Sequence, residues 1–268
     1  MRNSNRLLQL LRDNARAEAR QPLRAEVKDG EATVYVYDVI VAADSDADWW
    51  GGVSAESFVK ELRDIDAKTI HLRINSPGGD VFGARAMEAA IREHPANIVA
   101  HIDGYAASAA SYIAVACDEV EISQGGMIMI HNAWSCMCGN ADDMRYMAGL
   151  LDKIDGTLVK TYAAETGCDP KRIKEWMADE TWFNADEAVE NGFADRVAEA
   201  APKASASWNL AAYSRAPAAP ARQEEAAEQE PVPAAQVAEE QADAPDDGEI
   251  DDGRDRYERM ATMHEVTA

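Results

Sequence analysis

The chain has 268 residues, 47% of them hydrophobic, and a formal net charge of −23. That length and apolar content allow one or two domains with a sizeable core. So acidic a balance counts against nucleic acid or an anionic membrane as a partner held by general electrostatics. Much of the charge is local, because Gln223 to Ala268 holds fifteen acidic and three basic residues.

Residues 1–24 are basic and polar, with Leu7-Leu8-Gln9-Leu10-Leu11 as their only apolar stretch. They read as a short amphipathic helix rather than a signal peptide. Thr33 to Val41 is rich in β-branched and aromatic residues and reads as a strand. An acidic loop follows, reaching Trp49-Trp50-Gly51-Gly52. Ser54 then caps a helix to about Ile65 that carries Phe58, Leu62 and Ile65 on one face. Thr69 to Ile74 is the next strand, ending in Asn75-Ser76-Pro77-Gly78-Gly79-Asp80. A helix from Val81 to His94 shows apolar residues at helical spacing and stops before Pro95.

Ile98 to Ile102 reads as a strand, followed by a turn at Gly104 to Ser108 and a helix from near Ala107 to about Ala116. Glu119 to Ile122 and Met127 to Ile130 are two further short strands. A long amphipathic helix covers Asn140 to about Glu165, with Met147, Leu150, Leu151, Ile154, Leu158 and Tyr162 along one side. Asp169-Pro170 opens a short helix, and Ala185 to Asn191 forms another that Gly192 closes. Val197 lies near the last ordered element. This alternation of strands and helices indicates an α/β layer on a largely parallel sheet. Past about Ala200 the composition turns to Ala, Pro, Glu and Gln, which reads as a disordered acidic tail. The expected organisation is an N-terminal extension (1–30), a folded domain (31–200) and the tail (201–268).

Three features converge on chemistry. Ser108 stands in a run of small residues at a strand-to-helix turn, where its hydroxyl lies near unpaired backbone N–H groups and a ligand backbone can approach closely. His131 follows an apolar strand, the place where parallel-sheet proteins concentrate their chemistry. Gly78-Gly79 sits between strand and helix, where backbone N–H groups can face a developing oxyanion. A serine nucleophile needs a base, and the base needs an orienting carboxylate. Asp179, Glu180 and Asp195 are candidates that the pattern alone does not separate. Each feature also has a bland reading: a small-residue helix start, a half-buried histidine, an ordinary tight turn. The four cysteines form no Cys-x-x-Cys pair, so they read as free thiols, and no metal site or cofactor is expected. No apolar run reaches the roughly 20 residues of a membrane span, and a cytoplasmic protein is expected.

Taken together, Ile74-Asn75-Ser76-Pro77-Gly78-Gly79, Gly104-Tyr105-Ala106-Ala107-Ser108-Ala109, Met129-Ile130-His131-Asn132 and the stretch Asn184 to Asp195 resemble the proteolytic subunit of Clp proteases. The likeness runs from about Thr33 to Val197. Trp49-Trp50-Gly51-Gly52, Asn132-Ala133-Trp134-Ser135 and Glu180-Thr181-Trp182-Phe183 look like the Clp-like head maturation proteases of phages and prophages.

The resemblance implies a crotonase-like α/β subunit of βαβ units with a long handle helix, assembled into homo-oligomeric single or double rings that act on polypeptides. It implies Ser108 as nucleophile and His131 as general base. The backbone N–H groups of Gly79 and Ala109 would form the oxyanion hole. The family's catalytic aspartate aligns with Glu180, one methylene longer, with Asp179 as the alternate acid. No Gly-x-x-x-x-Gly-Lys-Ser/Thr loop is present, so any ATP dependence would come from a separate AAA+ unfoldase. Capsid proteins are the other candidate partners. An α/β-hydrolase is disfavoured, since the serine lacks the Gly-x-Ser-x-Gly setting. The remaining alternatives are a crotonase-fold acyl-CoA hydratase, a protease with a Ser–Lys dyad, and an inactive scaffold for capsid assembly.

Overall fold

The computed structural model describes residues 6–15, 21–199 and 208–217, all within one compact unit spanning Met1–Ala221. The elements in chain order are α1 (Arg6–Asp13), β1 (Arg24–Lys28), β2 (Glu31–Val36), β3 (Ile40–Val41), α2 (Asp44–Trp50), β4 (Val53–Ser54), α3 (Ala55–Asp64), β5 (Thr69–Ser76) and α4 (Val81–Glu93). There follow β6 (Asn97–Ala107), α5 (Ala109–Ala114), β7 (Glu119–Ile122), β8 (Met127–Ile130), α6 (Ala141–Thr166), α7 (Pro170–Ala178), β9 (Thr181–Asn184), α8 (Ala185–Glu190) and β10 (Arg196–Val197).

One eight-stranded sheet runs in the order β1-β2-β5-β6-β7-β10, and β8 and β9 extend it from β6. Strands β2, β5, β6, β7 and β10 are parallel, as the strand–helix alternation requires. Strand β6 has two partners on one side. Val99–Ile102 pairs with β7, and Tyr105–Ala107 pairs in parallel with Met127–Met129 of β8. Strand β9 then closes on β8 in antiparallel register. One face of the sheet is apolar: Val34, Leu72, Ile70, Ile98 and Ile102 are buried together with Phe58, Leu62 and Met87 of the covering helices. The alternate residues form a polar ladder, with His71 Nδ1 2.9 Å from His101 Nε2 and His101 Nδ1 3.2 Å from Glu121.

Several elements depart from the sequence reading. Strand β1 was not expected. All five of its residues are exposed, so there is no alternation to read, but the Asp29-Gly30 turn, with φ of 56° and 86°, is the signal for its hairpin with β2. The single strand read over Thr33 to Val41 is broken into β2 and β3. The acidic loop is partly the helix α2, in which the Asp46 carboxylate reaches back to the N–H of Ala43. The turn expected at Gly104 is instead part of an eleven-residue β6 that carries a register shift against β5 between Ile102 and Ala106, because pairing with β5 and β8 outweighs the weak strand preference of Gly and Ala. Gly104 itself is required there, since a Cβ would lie 2.6 Å from Asn75 Oδ1. Strand β9 was also not anticipated.

The largest correction concerns the stretch read as a disordered tail. Trp208, Leu210, Ala212 and Tyr213 are buried, packed with Leu10 and Leu11 of α1 and with Val39, Val41, Ala107 and Met129. Apolar burial offsets the ordering cost that composition alone suggested the segment could not meet. The acidic stretch beyond Pro217 lies outside the described residues.

Candidate functional site

Three parallel strands, β5, β6 and β8, end side by side, and each is followed directly by one of the residues singled out above. The Gly78-Gly79 loop follows β5, Ser108 follows β6 and His131 follows β8. The pairing of β6 with β8 places the last two together. The Ser108 N–H donates to the Met129 carbonyl at 2.8 Å, and Ser108 Oγ lies 2.7 Å from His131 Nε2. Ser108 has φ of 54°. An L-residue held there costs on the order of 1–3 kcal/mol, and such strain clusters at functional positions. The turn is held from behind by Ser111, whose hydroxyl donates to the Ser108 carbonyl at 2.7 Å and meets the Tyr162 hydroxyl of α6 at 2.8 Å.

The glycine loop is pressed against this turn. A Cβ on Gly78 would lie 2.5 Å from the Ala107 carbonyl oxygen and 2.8 Å from Ser108 Cβ. Gly79, at φ of 155°, is clamped against β3: Ile40 N–H donates to Gly78 O and Asp80 N–H donates to Ile40 O, both at 2.9 Å. Among the described residues, neither the Gly79 nor the Ala109 N–H meets an acceptor. Both residues line a cleft of about 290 Å³ with Ser108 and His131, whose other wall is the apolar side of α6: Leu150, Leu151, Ile154 and Leu158. The arrangement thus brings a hydroxyl, an imidazole and two backbone donors to the mouth of one apolar cleft.

Burial drives the His131 pKa down to about 4; the nearby Glu180 charge opposes this and the Arg6 charge adds to it. The imidazole is therefore neutral at pH 7, as a proton acceptor must be.

The expected third contact does not form. His131 makes no hydrogen bond to Glu180 or to Asp179 among the described residues. Glu180 is buried at a positive φ of 49°, where the chain turns from α7 into β9. Its carboxylate accepts from two backbone N–H groups, those of Ser214 (3.0 Å) and Arg215. Asp179 is exposed and pairs with the Arg215 guanidinium at 3.3 Å. Asp195 caps the N–H of Val120 at 2.6 Å. One residue at the site went unanticipated. Tyr213 sets its ring edge-on to His131, with centroids 5.4 Å apart at 82°, and its hydroxyl donates to the Pro77 carbonyl. Trp208 and Tyr213, standing in an otherwise Ala-, Pro- and Glu-rich stretch, are the signal that could have found it.

The fold and this cleft define a mixed α/β protein with a serine and a histidine meeting at the ends of parallel strands. Comparison with known proteins gives the family. The Clp protease family model matches residues 53–201, more than half of the chain, and the chain belongs to that family. It is 33% identical over 147 residues to the ATP-dependent Clp protease proteolytic subunit 3 of Rhodococcus jostii, covering 52% of this chain and 72% of the relative. It is 31% identical over 153 residues to the ATP-dependent Clp protease proteolytic subunit 2 of Treponema denticola, covering 54% and 76%. A 149-residue stretch is 31% identical to the membrane protein NfeD1b of Bacillus subtilis, covering 53% of this chain and 34% of that protein. The α/β arrangement is consistent with the Clp-type fold, and the homologues support peptidase function. No helix of the described residues is long and apolar enough to cross a membrane.

Proposed function

We propose that the protein is a serine endopeptidase. The observation that carries this reading is the 2.7 Å contact between Ser108 Oγ and His131 Nε2 at the mouth of the cleft. Ser108 Oγ attacks the carbonyl carbon of a peptide bond while His131 Nε2 takes its proton. The oxyanion settles between the N–H groups of Gly79 and Ala109. His131 returns the proton to the leaving amine. Water, deprotonated by the same nitrogen, then cleaves the acyl-enzyme and restores the serine. Glu180 supports the imidazolium by its charge rather than by a hydrogen bond, and Asp179, exposed and paired elsewhere, takes no part. The apolar wall of α6 suits an aliphatic or aromatic side chain beside the scissile bond.

In this reading, α6 is the handle of a homo-oligomeric ring, single or double, acting in the cytoplasm on polypeptides delivered by a separate AAA+ unfoldase. Head maturation in a phage or prophage is the proposed biological role. It rests on the likeness of Trp49–Gly52, Asn132–Ser135 and Glu180–Phe183 to that subgroup, and it makes capsid proteins the natural substrates. The Ser108–His131 contact speaks against an inactive scaffold, and a hydratase of the crotonase type would have no use for the serine.

Labelling with a fluorophosphonate tests the reading. Wild type is expected to form a covalent adduct and Ser108→Ala none. Equal labelling of both, or no labelling of the assembled wild type, would overturn it.

A further inference from the structure

We propose that residues Trp208–Pro217, which follow the matched protease region, are a strap that positions the active site from behind, with Tyr213 as its positioning residue. The proposal rests on the serine endopeptidase reading above. Tyr213 touches three parts of the site at once, the Ser108 side chain among them. Its ring stands against the imidazole of His131, and its hydroxyl donates to Pro77, which leads into the loop carrying Gly79. Burial pushes the Tyr213 phenol well above its ordinary pKa, so it remains a donor. The next two backbone N–H groups, of Ser214 and Arg215, hold both carboxylate oxygens of Glu180. One short segment thus fixes the base, the oxyanion loop and the nearest buried carboxylate.

The strap is itself anchored. The Trp208 indole N–H reaches the Asn75 carbonyl at 3.1 Å and its side-chain oxygen at 3.2 Å. Asn209 and Asn14 exchange two hydrogen bonds: Asn209 N–H donates to Asn14 Oδ1 at 2.7 Å, and Asn14 Nδ2 donates to the Asn209 carbonyl at 3.0 Å. The rings of Trp182 and Tyr105 complete the packing, Trp182 lying 5.9 Å from Tyr213 and 6.2 Å from Tyr105.

Its location decides between a prop and a plug. No residue of the strap lines the cleft that holds Ser108, Gly79 and Ala109. The Tyr213 hydroxyl is also within hydrogen-bond reach of the Ser108 side chain, so the strap braces the serine and the histidine together without lining the cleft. The groups that face His131 are then Ser108 by hydrogen bond, Tyr213 by its ring, and Glu180 and Arg6 by charge.

The test uses the full-length protein and its Tyr213→Ala, Tyr213→Phe and Pro217-stop variants, each checked for folding by circular dichroism. Peptide hydrolysis is followed as kcat and KM across pH, and fluorophosphonate labelling is measured in parallel. Tyr213→Ala is expected to lower kcat about tenfold or more with KM nearly unchanged. Its acid limb should move up by about one pH unit or more, since water admitted to the imidazole restores its basicity. Tyr213→Phe, which keeps the ring and loses only the hydroxyl, should leave the acid limb in place and lose about threefold in kcat. Stopping after Pro217 should change neither. A labelled wild type beside a Tyr213→Ala chain with unchanged kcat and acid limb overturns the strap alone, as does a rise in kcat, which would make the segment a brake. If Tyr213→Ala does not fold, Tyr213→Phe decides: wild-type kcat there overturns the proposal. A wild type that does not label overturns the serine reading, and the strap with it.

Discussion

The two sides of His131 are built on different principles. In front, Ser108, Gly79 and Ala109 are placed by the ends of neighbouring parallel strands, so the sheet register brings them together. Behind, Tyr213 and the main chain of Ser214 and Arg215 come from a segment that belongs to no strand or helix and is held by side-chain locks. The front is therefore rigid in proportion to the sheet. The back depends on a few contacts of large sequence separation, and it is where the site is most open to change.

This contrast can be broken from either side. The largest effect belongs to the front. Gly79→Ala would put a Cβ 2.0 Å from the Ile40 carbonyl oxygen and 2.7 Å from its nitrogen, both backbone atoms that cannot step aside. Loss of about 100-fold or more in kcat is expected, because the proposed oxyanion donor would move with the loop. A lowered melting temperature should accompany it, read by calorimetry.

At the back, Glu180→Gln is expected to cost about tenfold in kcat, since an amide cannot accept both backbone N–H groups as the carboxylate does. Asp179→Ala should stay near wild type. If instead Asp179→Ala is the inactive one, the acid has been misassigned. The pH profile separates the roles at the back. In the proposed mechanism the neutral imidazole is the base, so activity should fall as pH drops through the His131 pKa, near 4 in the wild type. The Glu180 charge raises that pKa, so Glu180→Gln should move the acid limb down. Removing the Tyr213 ring relieves desolvation and should move it up. Limbs moving in the same direction would break the division of labour. The smallest effect is expected from Arg215→Ala. Its ion pair with Asp179 is largely exposed, so melting should shift by no more than about 1 °C and kcat by less than about twofold.

The same front–back division explains how much could be read from the sequence. Strands β7 and β8 match their expected bounds, and α4 and α6 come within a residue or two. The reason is that alternation, helical spacing and caps are local signals: Asp80 caps α4, and Asn140 caps α6 with two N–H bonds to its side chain. Ser108 and His131 were legible because each follows a strand. The strap was not. Its composition reads as disorder, and its order comes from Trp208 and Tyr213 finding a cluster assembled from α1, β3, β6 and β8. Nor could the sequence tell that Glu180 would turn its carboxylate to the strap, since that depends on a single positive φ at the α7–β9 junction.

The hydrogen bonds that hold Glu180 have one more consequence. Both donors are peptide N–H groups, which every amino acid except proline supplies. Evolution is thus free to rewrite the letters at 214 and 215 while the grip on the carboxylate persists. Across relatives, this part of the site would leave its trace as a fixed distance from an aromatic residue and an avoidance of proline, and an alignment scored on side-chain identity would pass over it.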